Sequence, residues 1–193
     1  MFNFDNTKKD ILEKEDKSNV GSIDPLIQHL CKIINNDKNY FTTSSCSGRI
    51  TLIDDKEKKS PDVFLFRSHK QIKLDELKKG ILDAAEKIQE GIIMFKQEPC
   101  LVVISCRNKD KQWKLFSQAR NNGWKKSGIL SLDKKLLIEL MSSENISFPI
   151  IKDGEILIDD KFLEIILEKA NSNLEKGWGK INQLKIYLEN KSN

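Results

Sequence analysis

The run Tyr40-Phe41-Thr42-Thr43-Ser44-Ser45-Cys46-Ser47-Gly48-Arg49-Ile50 constrains the fold more than any other stretch of this chain. Five aliphatic hydroxyls surround one thiol there, so an ordinary core strand cannot continue past Thr42. The segment is expected to form a loop between an extended piece at 40–42 and a strand at 49–53. Its hydroxyls, thiol, arginine fork and a glycine able to adopt positive φ suit an oxygen-rich or anionic ligand. Consecutive backbone N–H groups in such a turn also make an anion-binding concavity. The same residues equally suit a solvated turn whose hydroxyls satisfy local backbone groups, and composition does not separate the two.

The segments around this run are easier to assign. Asp24 is a good N-cap, Pro25 suits a first helical position, and Leu26, Ile27, Leu30, Ile33 and Ile34 form one apolar stripe, which predicts a helix of about three turns. Before it lies a polar N-terminal extension, 1–20, with a short helix around 6–15, either frayed or docked through Phe2, Phe4, Ile11 and Leu12. After it, 54–61 is a polar loop and 63–67 a returning strand, with Ser68 and His69 at a strand end that suits a cleft. Leu74, Leu77, Ile81, Leu82, Ala85 and Ile88 mark a second amphipathic helix that stops near Gly91. Strands at 92–95 and 101–106 follow, with Pro99 favouring a break between them. A helix over 109–122 is amphipathic through Trp113, Leu115, Phe116 and Ala119, and Gly123 suits its C-terminal cap. Hairpins are predicted for 125–132 with 135–142 and for 146–151 with 155–158, the second around the type I′ signal Asp153-Gly154. Behind Asp159 or Asp160, an apolar stripe from Leu163 to Leu188 predicts a long last helix.

Helices and paired strands alternate irregularly, which implies an α+β fold: a mixed, largely antiparallel sheet flanked by helices, with a long C-terminal helix. The chain has 193 residues, which suits one domain over 21–193 behind the extension. No Gly-x-Gly-x-x-Gly run follows a first strand, so a standard Rossmann cofactor site is disfavoured. The 33 basic side chains are nearly matched by 29 acidic ones, so the net charge of +4 permits RNA binding without demanding it. There is no apolar h-region at the start and no run approaching the ~20 residues of a membrane span. The four cysteines include no Cys-x-x-Cys pair. A soluble cytoplasmic protein with reduced thiols and no structural metal is expected.

Gly21-Ser22-Ile23-Asp24, the helix after it and the run from Tyr40 to Ile50 resemble the signature of the tRNA wybutosine-synthesizing protein 3 family. The similarity continues in order through Ser68-His69, Phe95-Lys96-Gln97-Glu98-Pro99, Cys106-Arg107, Gly123-Trp124-Lys125-Lys126-Ser127-Gly128-Ile129 and Phe148-Pro149 to the last helix. The resemblance implies an S-adenosylmethionine-dependent methyltransferase of the wybutosine pathway, with its cofactor in a pocket of a different build. The expected substrate atom is N-4 of the 4-demethylwyosine-type intermediate at the modified guanosine 3′ of the anticodon of phenylalanine tRNA.

On that basis Ser44, Ser45, Cys46, Gly48 and Arg49 are the expected cofactor-binding residues, with Arg49 on a carboxylate or phosphate. His69 and Asp24 are the expected catalytic pair: His69 as general base or hydrogen-bond donor, Asp24 near the cofactor's positive groups unless it serves only as a helix cap. Lys70, Lys96, Arg107, Lys125 and Lys126 lie beside the matched motifs and are the expected contacts to the anticodon stem-loop, with Trp124 a stacking platform and Tyr40 either a second platform or core. One position departs from the family pattern, which places a histidine in the strand before Cys106-Arg107, where this chain has Val103. A valine neither accepts a proton nor donates a hydrogen bond, so either that histidine is dispensable or the chain is a non-catalytic tRNA-binding module of the same fold.

Overall fold

The computed structural model describes residues 3–13, 24–55, 63–133 and 135–192. Phe2, the motif residues Gly21, Ser22 and Ile23, the predicted helix end near Glu15 and most of the 54–61 loop lie outside the described residues. The rest fall into two compact units, interleaved along the chain. The first takes the residues up to Ser47, Cys100–Ser143 and those from Gly177 onward, and the second takes Gly48–Pro99 and Glu144–Lys176.

In the first unit, helices α1 (Phe4–Leu12) and α2 (Pro25–Asn36) precede strand β1 (Tyr40–Cys46). Asp24 caps α2 as expected: its Oδ1 accepts from Leu26 N at 3.1 Å, and Pro25 takes the first turn. Strand β5 (Leu101–Cys106), helix α4 (Lys109–Asn121) and strands β6 (Gly128–Ser131) and β7 (Leu136–Met141) complete it, together with the end of the last helix. The four strands form an antiparallel sheet in the order β1-β5-β7-β6. Alternation puts Val102, Ile104 and Cys106 of β5 and Ile138 and Leu140 of β7 on one face, where they join Ile27, Leu30 and Ile34 of α2, Leu115 and Ala119 of α4, and Ile181 and Leu184 in one buried core. Burying each Leu or Ile of this set contributes about 1.5–3 kcal/mol before chain entropy is counted.

The second unit holds strands β2 (Arg49–Asp54) and β3 (Phe64–Ser68), helix α3 (Leu74–Lys87) and strands β4 (Ile92–Glu98), β8 (Ile146–Lys152) and β9 (Glu155–Ile156). Helix α5 (Asp160–Ser192) begins here, capped by Asp159 Oδ1 accepting from Phe162 N at 2.7 Å. Its sheet runs β3-β2-β4-β8-β9, again antiparallel throughout. The turn from β8 to β9 has Asp153 at φ 49° and Gly154 at φ 80°, the paired left-handed residues that Asp153-Gly154 promised. Rings stack from Phe95 to Phe148 at 5.2 Å, and Phe148 meets Phe162 of α5 edge-on at 5.7 Å. Gly80 lets α3 approach β3, because a Cβ there would stand 2.9 Å from Phe66 Cδ2.

The α+β class, the antiparallel pairing and the long last helix agree with the sequence reading, and the strands are divided between two sheets. The break expected at Pro99 is where the change of sheet occurs, since β4 and β5 on either side pair in different sheets. The expected loop after Thr42 is a correction: β1 continues to Cys46. As the edge of its sheet it needs only backbone pairing with β5, so it tolerates hydroxyl side chains that a two-sided core strand would not.

Candidate active site

A β-bulge sets the chemistry of β1. Thr42 opposes Ile104 and Ser44 opposes Val103, so Thr43 is the inserted residue and the alternation changes phase there. Thr42 lies on the core face, its backbone N–H donating to Asn35 Oδ1 at 2.7 Å. Past the bulge Ser45 opposes core-facing Val102 and hydrogen-bonds the buried thiol of Cys31, which burial pushes above its usual pKa. Ser44 and Cys46 turn to the opposite face. The predicted trio Ser44, Ser45 and Cys46 is therefore split, with Ser45 engaged in fastening β1 to α2.

On that opposite face Ser44, Val103 and Glu139 stand in one row across β1, β5 and β7. Cys46 and Leu101 form the next row with Met141. The row has a hydroxyl at one end, a half-buried carboxylate at the other, and Val103 between them. Glu139 is absent from the residues expected above; its one signal in the sequence is a lone charge within the apolar strand Leu136–Met141.

Asp24 does two things. While Oδ1 caps α2, Oδ2 accepts a hydrogen bond from the hydroxyl of Ser47, which is 1% exposed. The carboxylate ties the start of α2 to the end of β1, and the cap alone contributes about 1 kcal/mol. Ser47, absent from the expected site residues, is the group that fixes the second oxygen.

In the second unit, Gly48 at φ 96° opens the turn into β2, and its carbonyl oxygen lies 3.2 Å from His69 Nδ1. A carbonyl only accepts, so Nδ1 carries the proton and the lone pair of the neutral imidazole sits on Nε2. Arg49 pairs with Glu98, its register partner on β4, and its guanidinium lies 4.8 Å over the Phe64 ring. Its charge is thus compensated within the protein.

The residues expected at RNA differ in their availability. Lys70, Lys125 and Lys126 are exposed and Lys96 is half-buried. Arg107 donates to both carboxylate oxygens of Asp5 and to the Lys38 carbonyl, and lies 4.5 Å over the Phe4 ring, holding α1 in place. Trp124 requires a correction: it is 0% exposed inside the first unit's core, so neither ring face is open to a base. Tyr40 is likewise core, with its hydroxyl donating to the Lys111 carbonyl at 3.1 Å.

A cavity of about 170 Å³ in the second unit is lined by Ile81, Leu82, Ile156 and Leu163, with Lys78 and Asp160 paired at its rim. None of its lining residues is among the expected site residues.

The cysteines make this arrangement testable. Cys46 is partly exposed, whereas Cys31, Cys100 and Cys106 are each 1% exposed, and burial pushes the Cys106 thiol up to about 12. Because alkylation needs an accessible thiolate, iodoacetamide at neutral pH should modify Cys46 alone in the native protein and all four thiols after denaturation, as read by intact mass. Fast labelling of a second thiol before unfolding would contradict the described burial.

Comparison with known proteins gives a consistent result. The sequence matches the family described as Methyltransferase TYW3 over residues 6–190. It is 34% identical over 191 residues to the Thermococcus sibiricus protein named tRNA(Phe) 7-((3-amino-3-carboxypropyl)-4-demethylwyosine(37)-N(4))-methyltransferase, covering 97% of this chain and 95% of that one. It is 30% identical over 179 residues to the Xenopus laevis tRNA wybutosine-synthesizing protein 3 homolog, covering 90% of this chain and 69% of the relative. Among solved structures, the PH1069 protein of Pyrococcus horikoshii superposes with a TM-score of 0.84 at 30% identity, covering 96% of each chain.

Proposed function

Because the chain belongs to the Methyltransferase TYW3 family, we propose that it methylates N-4 of the 4-demethylwyosine-type base next to the anticodon of phenylalanine tRNA, using S-adenosylmethionine. The observation that carries this reading is the 34% identity to a methyltransferase of that name across nearly the whole of both chains. The compartment proposed is the cytoplasm. Free cysteines suit that setting, and no helix among the described residues is long and apolar enough to cross a membrane.

The residues present fit the cofactor's chemistry. An amino-acid–nucleoside ligand presents an ammonium, a carboxylate, ribose hydroxyls and a flat base, and needs acceptors and donors set in an apolar wall. The face of the first sheet opposite its core offers Ser44 as donor and acceptor, Glu139 as an acceptor for a cation, and Leu101, Val103 and Met141 as wall. Ser44, Cys46 and Glu139 would hold the cofactor. Ser45 and Asp24 support them by fixing β1 against α2. Bound there, S-adenosylmethionine supplies an electrophilic methyl group.

Positioning is most of the protein's remaining task, since the substrate nitrogen is itself the nucleophile. Replacing N–H by N–CH₃ releases one proton. His69 suits its acceptance as an imidazole held at the end of β3 by its hydrogen bond to the Gly48 carbonyl. Val103 cannot take that part. The test is purified protein with S-adenosylmethionine and phenylalanine tRNA carrying the demethylated precursor. The expected product is a nucleoside heavier by one methyl group in place of one hydrogen, and its absence would favour the non-catalytic tRNA-binding reading that Val103 motivates.

A further inference from the structure

With Trp124 in the core, the chain still carries an indole that lies outside the core. Trp113 on α4 is 61% exposed, more than any other large apolar side chain among the described residues. Helix α4 is anchored without it, through Gln112, Leu115 and Ala119. The Trp113 ring lies 5.7 Å from Phe116, and the Arg120 guanidinium lies 5.6 Å over the Phe116 ring. At 3.6 residues per turn, Lys109, Trp113, Phe116 and Arg120 form one stripe roughly 16 Å long. Lys114 borders it.

The net positive charge of the molecule is concentrated in the same place. Residues 109–126 contain six basic side chains and one acidic one, while the rest of the chain has 27 and 28. The whole positive excess of the protein therefore lies in α4 and the turn after it. Lys109, Lys114, Arg120, Lys125 and Lys126 are all exposed.

We infer that this face of α4, with the turn at Lys125 and Lys126, holds unpaired nucleotides of the substrate RNA, with Trp113 stacked on a base and Lys109 and Arg120 at flanking phosphates. The inference rests on the reading that tRNA is the substrate. An apolar protein surface would match the indole but not the cations, and an acidic one the cations but not the indole. A single-stranded polynucleotide matches both, since each unit has a flat π face and a phosphate. Loop nucleotides, unlike those of an A-form stem, have both available.

Binding of phenylalanine tRNA and of its anticodon stem-loop is measured by anisotropy across a salt series, alongside methyl transfer by the wild type. Trp113→Ala should weaken binding about tenfold or more, with Trp113→Phe restoring most of it. Lys109→Ala with Arg120→Ala should lower the slope of log Kd against log salt by about two. Unchanged melting curves would show that the variants fold. If wild type methylates tRNA while Trp113→Ala binds with unaltered affinity, this inference fails and the methyltransferase reading stands. If binding depends on Trp113 but no methyl is transferred, the methyltransferase reading fails and this one survives. Loss of self-association in Trp113→Ala by light scattering, with RNA affinity intact, would make the face a protein contact and overturn the inference.

Discussion

His69→Asn is expected to lower the single-turnover rate of methyl transfer by about 10²–10⁴-fold, the usual contribution of a positioned general base. Asparagine is chosen because its amide N–H can replace Nδ1–H in the hydrogen bond to the Gly48 carbonyl. The turn between Ser47 and Arg49 is thereby preserved, so a lost rate reports the missing imidazole and not a displaced loop. Folding should change by less than the ~1 kcal/mol that one such hydrogen bond contributes. The measurement is transfer of a labelled methyl group to precursor tRNA with enzyme in excess, beside a thermal melt. A rate within a few-fold of wild type would mean that the proton leaves to solvent or to another group.

Trp124→Ala is expected to cost about 3–5 kcal/mol of stability, the range for removing a large aromatic side chain from a closed core. The indole is among the largest fully buried side chains, packed in one cluster with Leu115, Ala119, Ile138, Leu140, Ile181 and Leu184. Its backbone N–H donates to Ala119 O at 3.1 Å, closing α4, so the site cannot collapse readily. Against a typical total of ~5–15 kcal/mol the loss is a large share, and it would appear as a lower urea midpoint with similar slope. A stable Trp124→Ala protein with impaired RNA binding would return the residue to the surface role its motif suggested. The matched change at Trp113, four-tenths of whose surface or less is covered, should leave the urea midpoint nearly where it was.

These two tryptophans show what the sequence could and could not convey. Trp113 fell within the apolar positions of the predicted helix at 109–122 and looked like core, whereas Trp124 sat in a Gly-Trp-Lys-Lys turn and looked exposed. Both inferences failed for one reason: neighbouring polarity describes the backbone's setting, while an indole's placement depends on which direction its helix or turn faces. Helix α2 was legible because Asp24 and Pro25 fix its start by local chemistry. The β8–β9 turn was legible because few residues adopt positive φ in succession. Strand β1 past Thr42 was not, because an edge strand is held by backbone hydrogen bonds to a partner about sixty residues away, and side-chain composition carries no trace of them. The bulge at Thr43, which decides whether Ser44 or Ser45 faces the core, lies beyond periodicity for the same reason. Asp24 is marked as a cap by its place before Pro25, but its bond to Ser47 exists only because β1 ends beside α2, which no local pattern encodes.

That edge strand also sets an order of events during synthesis. Strand β1 leaves the ribosome long before β5, with which Tyr40 through Cys46 must pair, and β7 follows later still. At ~5–20 residues per second, β1 waits several seconds with its hydrogen-bonding groups unanswered. For an apolar strand such a delay would invite aggregation. Thr43, Ser44 and Ser45 offer water their hydroxyls in the interval, so the composition that hides this strand in the sequence also lowers the apolar surface through which a waiting strand would aggregate.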